Sequence, residues 1–528
     1  METKHPATRH WLPEDDPNLA GLVADLRVLH QVSPPRGLQQ RLAPSLKQRL
    51  PLADGAIMFT GRKRPGDRRA GGARWFLGQW SAAAIFITVL GLASGALTFT
   101  ARQAGAPRLA ISASGLQSGI PKGARIKLTI DNFVQAHIVE PKLANLLHQF
   151  GAVSGTIVVE RPSDGAIIAM ASQPNHDPRT WRQLAASNAF GTSPNPADSD
   201  AYTPGQTIMP LLTGIGLDTG SFDERTVVND TGTLKTDGLT IQNWCLDSCG
   251  FGGPETVAYM LRYASNIAAT QFAKLIPDQQ FYQYLDNFGF GQRQTGPGLP
   301  EANPGMLIEP YTTVRGKKVP NHIWRPAYRD LTAFGQGVPS TPQPAHPGWT
   351  AAPNITASRQ AITATPLQVV NAYAALANGG TLMRPRLIQS YTLDGKTTVI
   401  QPTVLHVVFQ HADTAQRVTN ILVQAEAHGE ACEALVPGYD VAAKTSTVRV
   451  YNSPRTIGST VAYGPIGETD PAQRFVVLIE LTFPNLSWGS ETAAPATGEI
   501  LRQLFQHYGR RPDPKHTQPG QLCVGPDQ

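Results

Sequence analysis

The sequence predicts a mixed α and β (α+β) domain that follows a single N-terminal transmembrane helix. Three observations predict this class: an uncharged apolar segment at residues 75–100, runs of β-branched residues after position 150, and apolar residues at helical spacing between those runs. The chain has 528 residues and is 41% apolar, which is enough for one large domain or for two to three ordinary ones.

The apolar segment at residues 75–100 contains no charged side chain, and as a helix it would be roughly 39 Å long, enough to cross a bilayer with some tilt. Trp75 and Trp80 lie near one end, where indole rings favour the membrane interface. The segment begins too far from the N-terminus for a cleavable signal peptide, and a buried core helix is the alternative. A basic cluster precedes it, so we expect a single-pass protein of the cell membrane with a cytoplasmic N-terminus and an extracytoplasmic main domain.

The remaining divisions follow from this topology. Residues 1–74 form a cytoplasmic basic and amphipathic segment, which is either a minor helical element at the membrane surface or a docking site for a cytoplasmic partner. Residues 101–125 are rich in Ala, Gly, Ser and Pro and are typical of a linker. The main domain is expected at residues 126–510, followed by a polar tail at residues 511–528.

The net charge of +6 raises the possibility of nucleic-acid binding, but much of the excess lies just before the membrane segment. The sequence contains no Gly-rich nucleotide loop, no metal-ligand set and no basic–aromatic pattern. We therefore expect no cofactor, no metal and no nucleic-acid partner.

Within the main domain, periodicity predicts strands and helices in alternation. A strand at 127–131 leads into a helix at 132–150, and the turn signal Asp164-Gly165 predicts a hairpin over 154–172. A Thr365-Pro366 start and a Gly379-Gly380 end predict a capped helix between them. The other expected elements are a loop-rich segment at 221–253, a helical segment at 254–275, long loops at 292–356, strands at 439–450, 458–463 and 475–481, and a helix at 491–508.

All four cysteines follow the membrane segment, which would put them in an oxidising compartment. Cys245 and Cys249 can close a small loop, and Cys432 and Cys523 are then the remaining pair. Zinc binding is the alternative, although no Cys-x-x-Cys or nearby His pair supports it.

The stretch Tyr202-Thr203-Pro204-Gly205-Gln206-Thr207-Ile208-Met209-Pro210 resembles the nucleophile segment of the penicillin-binding transpeptidases, roughly Tyr-x-Pro-Gly-Ser-x-x-Lys-Pro. In that family the serine attacks and the lysine one helical turn later takes its proton. Here Gln206 stands at the nucleophile position and Met209 at the base position. Neither side chain can perform the family's role, because glutamine has no hydroxyl and methionine accepts no proton.

Two further motifs match the family in order and spacing. The Ser-x-Asn motif is matched by Ala264-Ser265-Asn266, so the proton-relay position holds Ala264 while the asparagine that holds the substrate amide is kept. The Lys-Thr-Gly motif is matched by Lys444-Thr445-Ser446, followed by Thr447. The resemblance implies a binding cleft formed by the residues Asn266, Lys444, Thr445, Ser446 and Thr447, with Ser446 crowding the substrate.

The resemblance extends over about residues 126–510 and is to the membrane-anchored, class B-like penicillin-binding proteins. It implies a β-lactamase/DD-peptidase-like fold with a central antiparallel sheet flanked by helices. It also implies that the partners are cell-wall peptides or peptidoglycan, the membrane and other proteins of cell-wall synthesis.

Three functions are compatible with these motifs. The first is a pseudoenzyme that acts as a scaffold or regulator in cell-wall assembly. The second is a sensor that binds a muropeptide or a β-lactam without covalent capture. The third is an active D,D-transpeptidase or carboxypeptidase with a rearranged site, and covalent labelling by penicillin would separate it from the other two.

Overall fold

A computed structural model describes the domain at residues 120–174, 195–244, 252–299, 302–314, 317–336, 361–449, 455–483 and 487–513. All of these residues belong to one compact unit, Pro107–Gln528. Its strands are β1 (Arg125–Leu128), β2 (Ser154–Arg161), β3 (Ala166–Gln173), β4 (Val228–Asp230), β5 (Thr233–Thr236), β6 (Leu239–Gln242), β7 (Gly253–Glu255), β8 (Met306–Leu307), β9 (Tyr311–Val314), β10 (Lys317–Pro320), β11 (Ile362–Thr363), β12 (Thr381–Met383), β13 (Ile388–Leu393), β14 (Lys396–Val399), β15 (Val404–Val407), β16 (Ala442–Arg449), β17 (Thr456–Gly464) and β18 (Phe475–Phe483).

The helices surround these strands, and a π-helical turn, Val134–Val139, leads into the first of them. The α-helices are α1 (Glu140–Phe150), α2 (Pro196–Ser199), α3 (Met209–Asp218), α4 (Val257–Tyr263), α5 (Asn266–Leu275), α6 (Asp278–Asn287), α7 (Pro326–Thr332), α8 (Pro366–Ala377), α9 (Thr414–Glu426) and α10 (Gly489–His507).

The largest sheet has five antiparallel strands in the order β16-β17-β18-β2-β3. Its strands are rich in Val, Ile and Thr, which pack well on a pleated surface. The predicted hairpin is confirmed as β2 and β3, and Gly165 turns with a φ of +67°. A side chain at Gly165 would lie 2.3 Å from the carbonyl oxygen of Arg384, so the turn also requires glycine for space.

Each face of this sheet packs against its own apolar core. Because side chains alternate along a strand, Val158 and Leu478 contribute to one core and Ile157 and Ile479 to the other. The first core also holds α3, α8 and α9, and the second holds α1 and α10. Two-sided burial explains why β18 is a nearly continuous apolar run rather than an alternating one.

The architecture confirms the mixed α and β class and corrects several local predictions. The helical segment expected at 254–275 is split into α4 and α5, because Ala264 adopts a left-handed conformation with a φ of +52°. The region expected to be loops after residue 292 contains the strands β8, β9 and β10 and the helix α7. The loop-rich segment after 221 contains the three short strands β4, β5 and β6.

The predicted transmembrane segment at 75–100, the cytoplasmic segment and most of the linker lie outside the described residues. Within the part of the chain that the structure describes, none of the helices has the length and apolar character needed to span a bilayer.

Candidate active site

The three motifs predicted from the sequence meet at one place in the fold. The 3-10 turn Gly205–Ile208 precedes α3, Asn266 begins α5, and Lys444 to Thr447 lie on β16 at the edge of the five-stranded sheet. Hydrogen bonds from Gln206 reach both Asn266 and Ser446, so the turn lies between the other two motifs. Tyr373 of α8 holds the turn in place, because its hydroxyl donates a hydrogen bond to the Thr207 carbonyl at 2.8 Å.

The carboxamide of Gln206 fills the space between the two walls of this cleft. Its Oε1 accepts a hydrogen bond from the Ser446 hydroxyl at 3.0 Å and from the Thr447 backbone N–H at 3.3 Å. Its Nε2 donates to Asn266 Oδ1 at 3.4 Å. Only 5% of Gln206 is exposed, so the side chain at the nucleophile position is a buried connection between the walls.

The absence of a side chain at Gly205 leaves room for the Ser446 hydroxyl. Gly205 has a φ of +61°, and a Cβ at this position would lie 1.9 Å from Ser446 Oγ. The Ser446 hydroxyl instead accepts a hydrogen bond from the Gln206 backbone N–H at 3.1 Å. The backbone N–H groups of Gln206 and Thr447 are therefore both bound to side-chain oxygens of the chain itself.

The neighbours of Gln206 in the turn offer no replacement chemistry. Met209 is fully buried and belongs to the apolar core around α3. Thr207 is also fully buried, and its hydroxyl donates to the Pro204 carbonyl at 2.8 Å. The proton of this hydroxyl is directed at a backbone carbonyl, which cannot act as a general base, and the base position holds a methionine.

The Ala264-Ser265-Asn266 segment presents one polar side chain to Gln206. Ala264 is buried, and the Ser265 hydroxyl donates to Asp230 at 2.8 Å and caps α5 by accepting the Ala268 N–H. Asn266 is oriented by donating its Nδ2 to the Gln242 carbonyl at 2.9 Å. Ser265 is thus used to hold the helix start, and Asn266 is the residue that faces the cleft.

A buried carboxyl pair lies behind Asn266. Asp230 accepts hydrogen bonds from Ser265 and from Asn243, and Asn243 in turn accepts the Ile267 N–H at 3.2 Å. Burial, together with the negative charge of Asp230, raises the pKa of Glu255 to about 7. Asp230 therefore holds the start of α5, and the neighbouring Glu255 favours its protonated form.

The lysine of the third motif is paired inside the protein. Lys444 is fully buried, and its Nζ lies 3.6 Å from Oε1 of the equally buried Glu426 at the end of α9. Burial raises the pKa of Glu426, and the positive charge of Lys444 opposes this shift. A second carboxylate, Glu430, accepts a hydrogen bond from the Thr445 hydroxyl at 3.5 Å.

Two tryptophans connect the walls of the cleft. The rings of Trp244, which follows β6, and Trp488, which precedes α10, meet edge to face with centroids 5.3 Å apart. Trp244 donates its indole N–H to the Tyr263 carbonyl at 3.1 Å, beside the Asn266 wall. Next to Trp488, the Gly489 N–H donates to the Thr447 hydroxyl at 2.9 Å, on the β16 wall.

Sequence reasoning did not identify Glu426, Glu430 and Trp488 as site residues. The two glutamates occur four positions apart around the end of α9, and no motif marks them. Of the disulfide candidates, Cys432 is described and is disulfide-bonded, while Cys245, Cys249 and Cys523 lie outside the described residues, so the pairing stays a prediction. Among the described residues, no group of three or more His, Cys, Asp or Glu side chains could hold a metal ion.

The fold and the three converging motifs define a transpeptidase-type domain, and sequence comparison agrees. The family model for the penicillin binding protein transpeptidase domain matches residues 155–502, well over half of the chain. The chain therefore belongs to the penicillin-binding protein transpeptidase domain family.

Two relatives illustrate the distance within this family. The chain is 25% identical over 398 residues to stage V sporulation protein D of Bacillus subtilis, covering 74% of this chain and 55% of that protein. It is 24% identical over 395 residues to the peptidoglycan D,D-transpeptidase FtsI of Escherichia coli, covering 74% of this chain and 57% of that protein. The chain thus spans little more than half the length of these relatives.

Solved structures with the same fold include penicillin binding protein 3 of Mycobacterium tuberculosis in complex with aztreonam, with a TM-score of 0.58 and 23% identity over 76% of this chain and 82% of that chain. Another is the D,D-transpeptidase domain of a peptidoglycan glycosyltransferase from Eggerthella lenta, with a TM-score of 0.55 and 24% identity over 73% of this chain and 84% of that chain. At this identity the likeness defines the fold.

Proposed function

We propose that this chain is a membrane-anchored pseudoenzyme of the penicillin-binding family that acts as a scaffold or regulator in peptidoglycan assembly. The observation that carries the proposal is the position of Gln206, whose carboxamide binds both walls of the cleft from the nucleophile position. Removal of the nucleophile of a comparable catalytic triad lowers the rate by on the order of 10⁶. Here the base position and the relay position, Met209 and Ala264, are replaced as well.

The lack of free N–H donors for an oxyanion supports the same proposal. Acyl transfer needs free backbone N–H donors aimed at the oxygen on which charge develops. The N–H groups of Gln206 and Thr447 instead donate to Ser446 Oγ and Gln206 Oε1. A substrate carbonyl would have to displace these oxygens before it could be polarised.

Covalent labelling tests the absence of acyl transfer. We expect the purified full-length protein to give no band on a denaturing gel after incubation with a fluorescent penicillin, while Escherichia coli FtsI, run beside it, serves as the positive control. A penicillin-dependent band that survives denaturation would overturn the pseudoenzyme proposal and support an active D,D-transpeptidase with a rearranged site.

A second candidate function is non-covalent sensing of a muropeptide or a β-lactam. It is favoured by the assembled polar groups of the cleft: Asn266, Thr445 and the Thr447 N–H are all in place, and side chains of this same chain occupy them. Calorimetric titration with purified muropeptides distinguishes the two roles. Saturable binding would favour the sensor, and a flat titration would leave the scaffold.

The partners proposed for either role are peptidoglycan or its peptides, the cell membrane and other proteins of cell-wall synthesis. The predicted helix at residues 75–100 would provide the membrane anchor. Fractionation of cells that express the full chain tests this topology, because an anchored protein stays with the membranes after a high-salt wash. Recovery in the soluble fraction would contradict it.

A further inference from the structure

At the end of the cleft near Lys444, two glutamate side chains lie close to a single ammonium group. Lys444 provides one ammonium, and two carboxylates surround it: Glu426 at 3.6 Å from its Nζ, and Glu430, which accepts the Thr445 hydroxyl. Burial raises the pKa of Glu430, and the positive charge of Lys444 acts in the opposite direction. The positive charge of the lysine is therefore already balanced within the protein.

The same ammonium lacks hydrogen bonds. Lys444 is fully buried, and its Nζ makes no hydrogen bond with any described residue, since the 3.6 Å separation from Glu426 is too long for one. An ammonium carries three donors and no acceptor. A buried donor without a partner is costly, so an oxygen atom brought into this place would be stabilised.

Lys444 can contribute to the same cleft as Gln206. Side chains two positions apart on a strand project from the same face, so Lys444 and Ser446 share a face of β16. Ser446 binds the Gln206 carboxamide from that face. A ligand that displaced the carboxamide would therefore approach the strand on the side where the lysine lies.

We propose that this end of the cleft selects an uncharged group with an oxygen acceptor, such as an amide, and rejects a carboxylate, with Glu430 as the specificity-determining residue. An amide oxygen would accept a hydrogen bond from Lys444 without adding charge. A ligand carboxylate would be placed beside Glu426 and Glu430, and like charges in a buried site repel strongly. This inference rests on the non-covalent binding role proposed above.

The test compares two peptides that differ only in one group. N-acetyl-D-alanyl-D-alanine with a free carboxylate and the same dipeptide with a C-terminal amide are titrated calorimetrically into full-length protein carrying Gln206→Ala, which removes the internal carboxamide. We expect the amide to bind at least about tenfold more tightly than the carboxylate. The change Glu430→Gln, added to Gln206→Ala, should reduce this preference to within about threefold.

The matched control is Glu224→Gln in the same background, because it removes one negative charge from a carboxylate that pairs with Arg417 on the exposed surface. The control should keep the preference for the amide. Tighter or equal binding of the carboxylate before Glu430 is changed would overturn the proposal, and so would an unchanged preference after Glu430→Gln. Failure of both peptides to bind would overturn it too, while leaving the pseudoenzyme proposal intact, since that is decided by covalent labelling.

A second measurement avoids the Glu430 variant, in case that variant does not fold. Burial raises the pKa of Glu430 to about 7, and the charged groups that act on it are Lys444 and Glu426. Arg262 accepts the Glu430 N–H with its backbone carbonyl, and its charge acts on Glu426. Protonation of Glu430 removes its negative charge, so the preference for the amide should be smaller at about pH 5.5 than at about pH 8. A preference that grows as the pH falls would contradict the proposal.

Discussion

The helix α8 and the cleft above it are both buried and both internally hydrogen-bonded, yet their sequences relate to the family in opposite ways. Thr365 and Gln368 form a reciprocal capping box, and Gln368 also donates to three backbone carbonyls. In the cleft, Gln206 forms hydrogen bonds with Asn266 on one wall and Ser446 on the other, from a position where the family has serine. The comparison teaches that the framework motif keeps the family's residues, whereas at the nucleophile position a different side chain, Gln206, has taken up hydrogen bonds with Asn266, Ser446 and Thr447.

The largest expected change in stability concerns the buried pair of Lys444 and Glu426 in the cleft. The single change Glu426→Leu should reduce the free energy of unfolding by about 3–5 kcal/mol, because the ammonium loses its nearest counter-charge in a buried site. The double change Glu426→Leu with Lys444→Met should recover most of this loss, since apolar groups of similar size can replace a buried ion pair. Chemical denaturation of the unchanged protein, both single variants and the double variant measures the coupling. A loss in the double variant equal to the sum of the two single losses would show that Lys444 and Glu426 do not interact.

The capping box of α8 gives the next largest effect. The change Gln368→Ala should reduce the free energy of unfolding by about 2–4 kcal/mol, because it leaves the Thr365 N–H and the carbonyls of Gly289, Gln292 and Pro304 without the side chain that binds them. Chemical denaturation again provides the measurement, and Gln416→Ala on the exposed face of α9 is the control. A loss no greater than that of the control would mean that the hydrogen bonds of Gln368 do not stabilise the framework.

The sequence predicted the framework around α8 better than it predicted the contents of the cleft. Local signals located several elements: the Asp164-Gly165 turn marked the β2–β3 hairpin, the Thr365-Pro366 start and the Gly379-Gly380 end marked α8, and apolar runs marked the three strands at the C-terminal end. The break between α4 and α5 was missed, since a left-handed alanine carries no signal of the kind that glycine gives.

The contents of the cleft were predicted only in part. The motif positions Gln206, Met209, Ala264 and Lys444 could be found by their spacing, but the hydrogen bonds of Gln206 join segments that are 60 and 240 residues apart. Glu426 and Glu430 became part of the site because the fold places the end of α9 beside β16. Contacts between distant segments depend on the tertiary structure, and local patterns do not contain them.

The buried carboxyl groups should make stability depend on pH, an effect smaller than the two losses of unfolding free energy predicted above. The pKa of Glu255 is about 7 in the folded protein and lies near its usual 4.5 in an unfolded chain. Between these values the folded state keeps a proton that the unfolded state releases, so stability should fall as the pH rises from about 4.5 to about 7. The pKa values of Asp198, Glu430 and Glu480 are also raised to about 7 by burial and act in the same direction.

Thermal unfolding measured across this range should show a melting temperature that is lower at about pH 8 than at about pH 5, and Glu255→Gln should remove about 2–5 °C of the difference. Below about pH 4 stability should fall again, because Asp131, Asp164 and Asp218 have lowered pKa values and lose their hydrogen-bonded charge on protonation. A melting temperature that rises steadily from about pH 5 to about pH 8 would contradict the assignment of buried, protonated carboxyl groups.

The smallest expected effect concerns the catalytic positions themselves. The double change Gln206→Ser with Met209→Lys should not restore labelling by a fluorescent penicillin, because Ala264 supplies no proton relay and the Ser446 hydroxyl still occupies the N–H of residue 206. A lysine at position 209 would also enter a fully buried apolar core, where its charged form is disfavoured. The matched comparison is the quadruple variant that adds Ala264→Ser and Ser446→Gly. Labelling of the double variant would show that the walls are still competent for acyl transfer, whereas labelling of the quadruple variant alone would assign the remaining defect to those two positions.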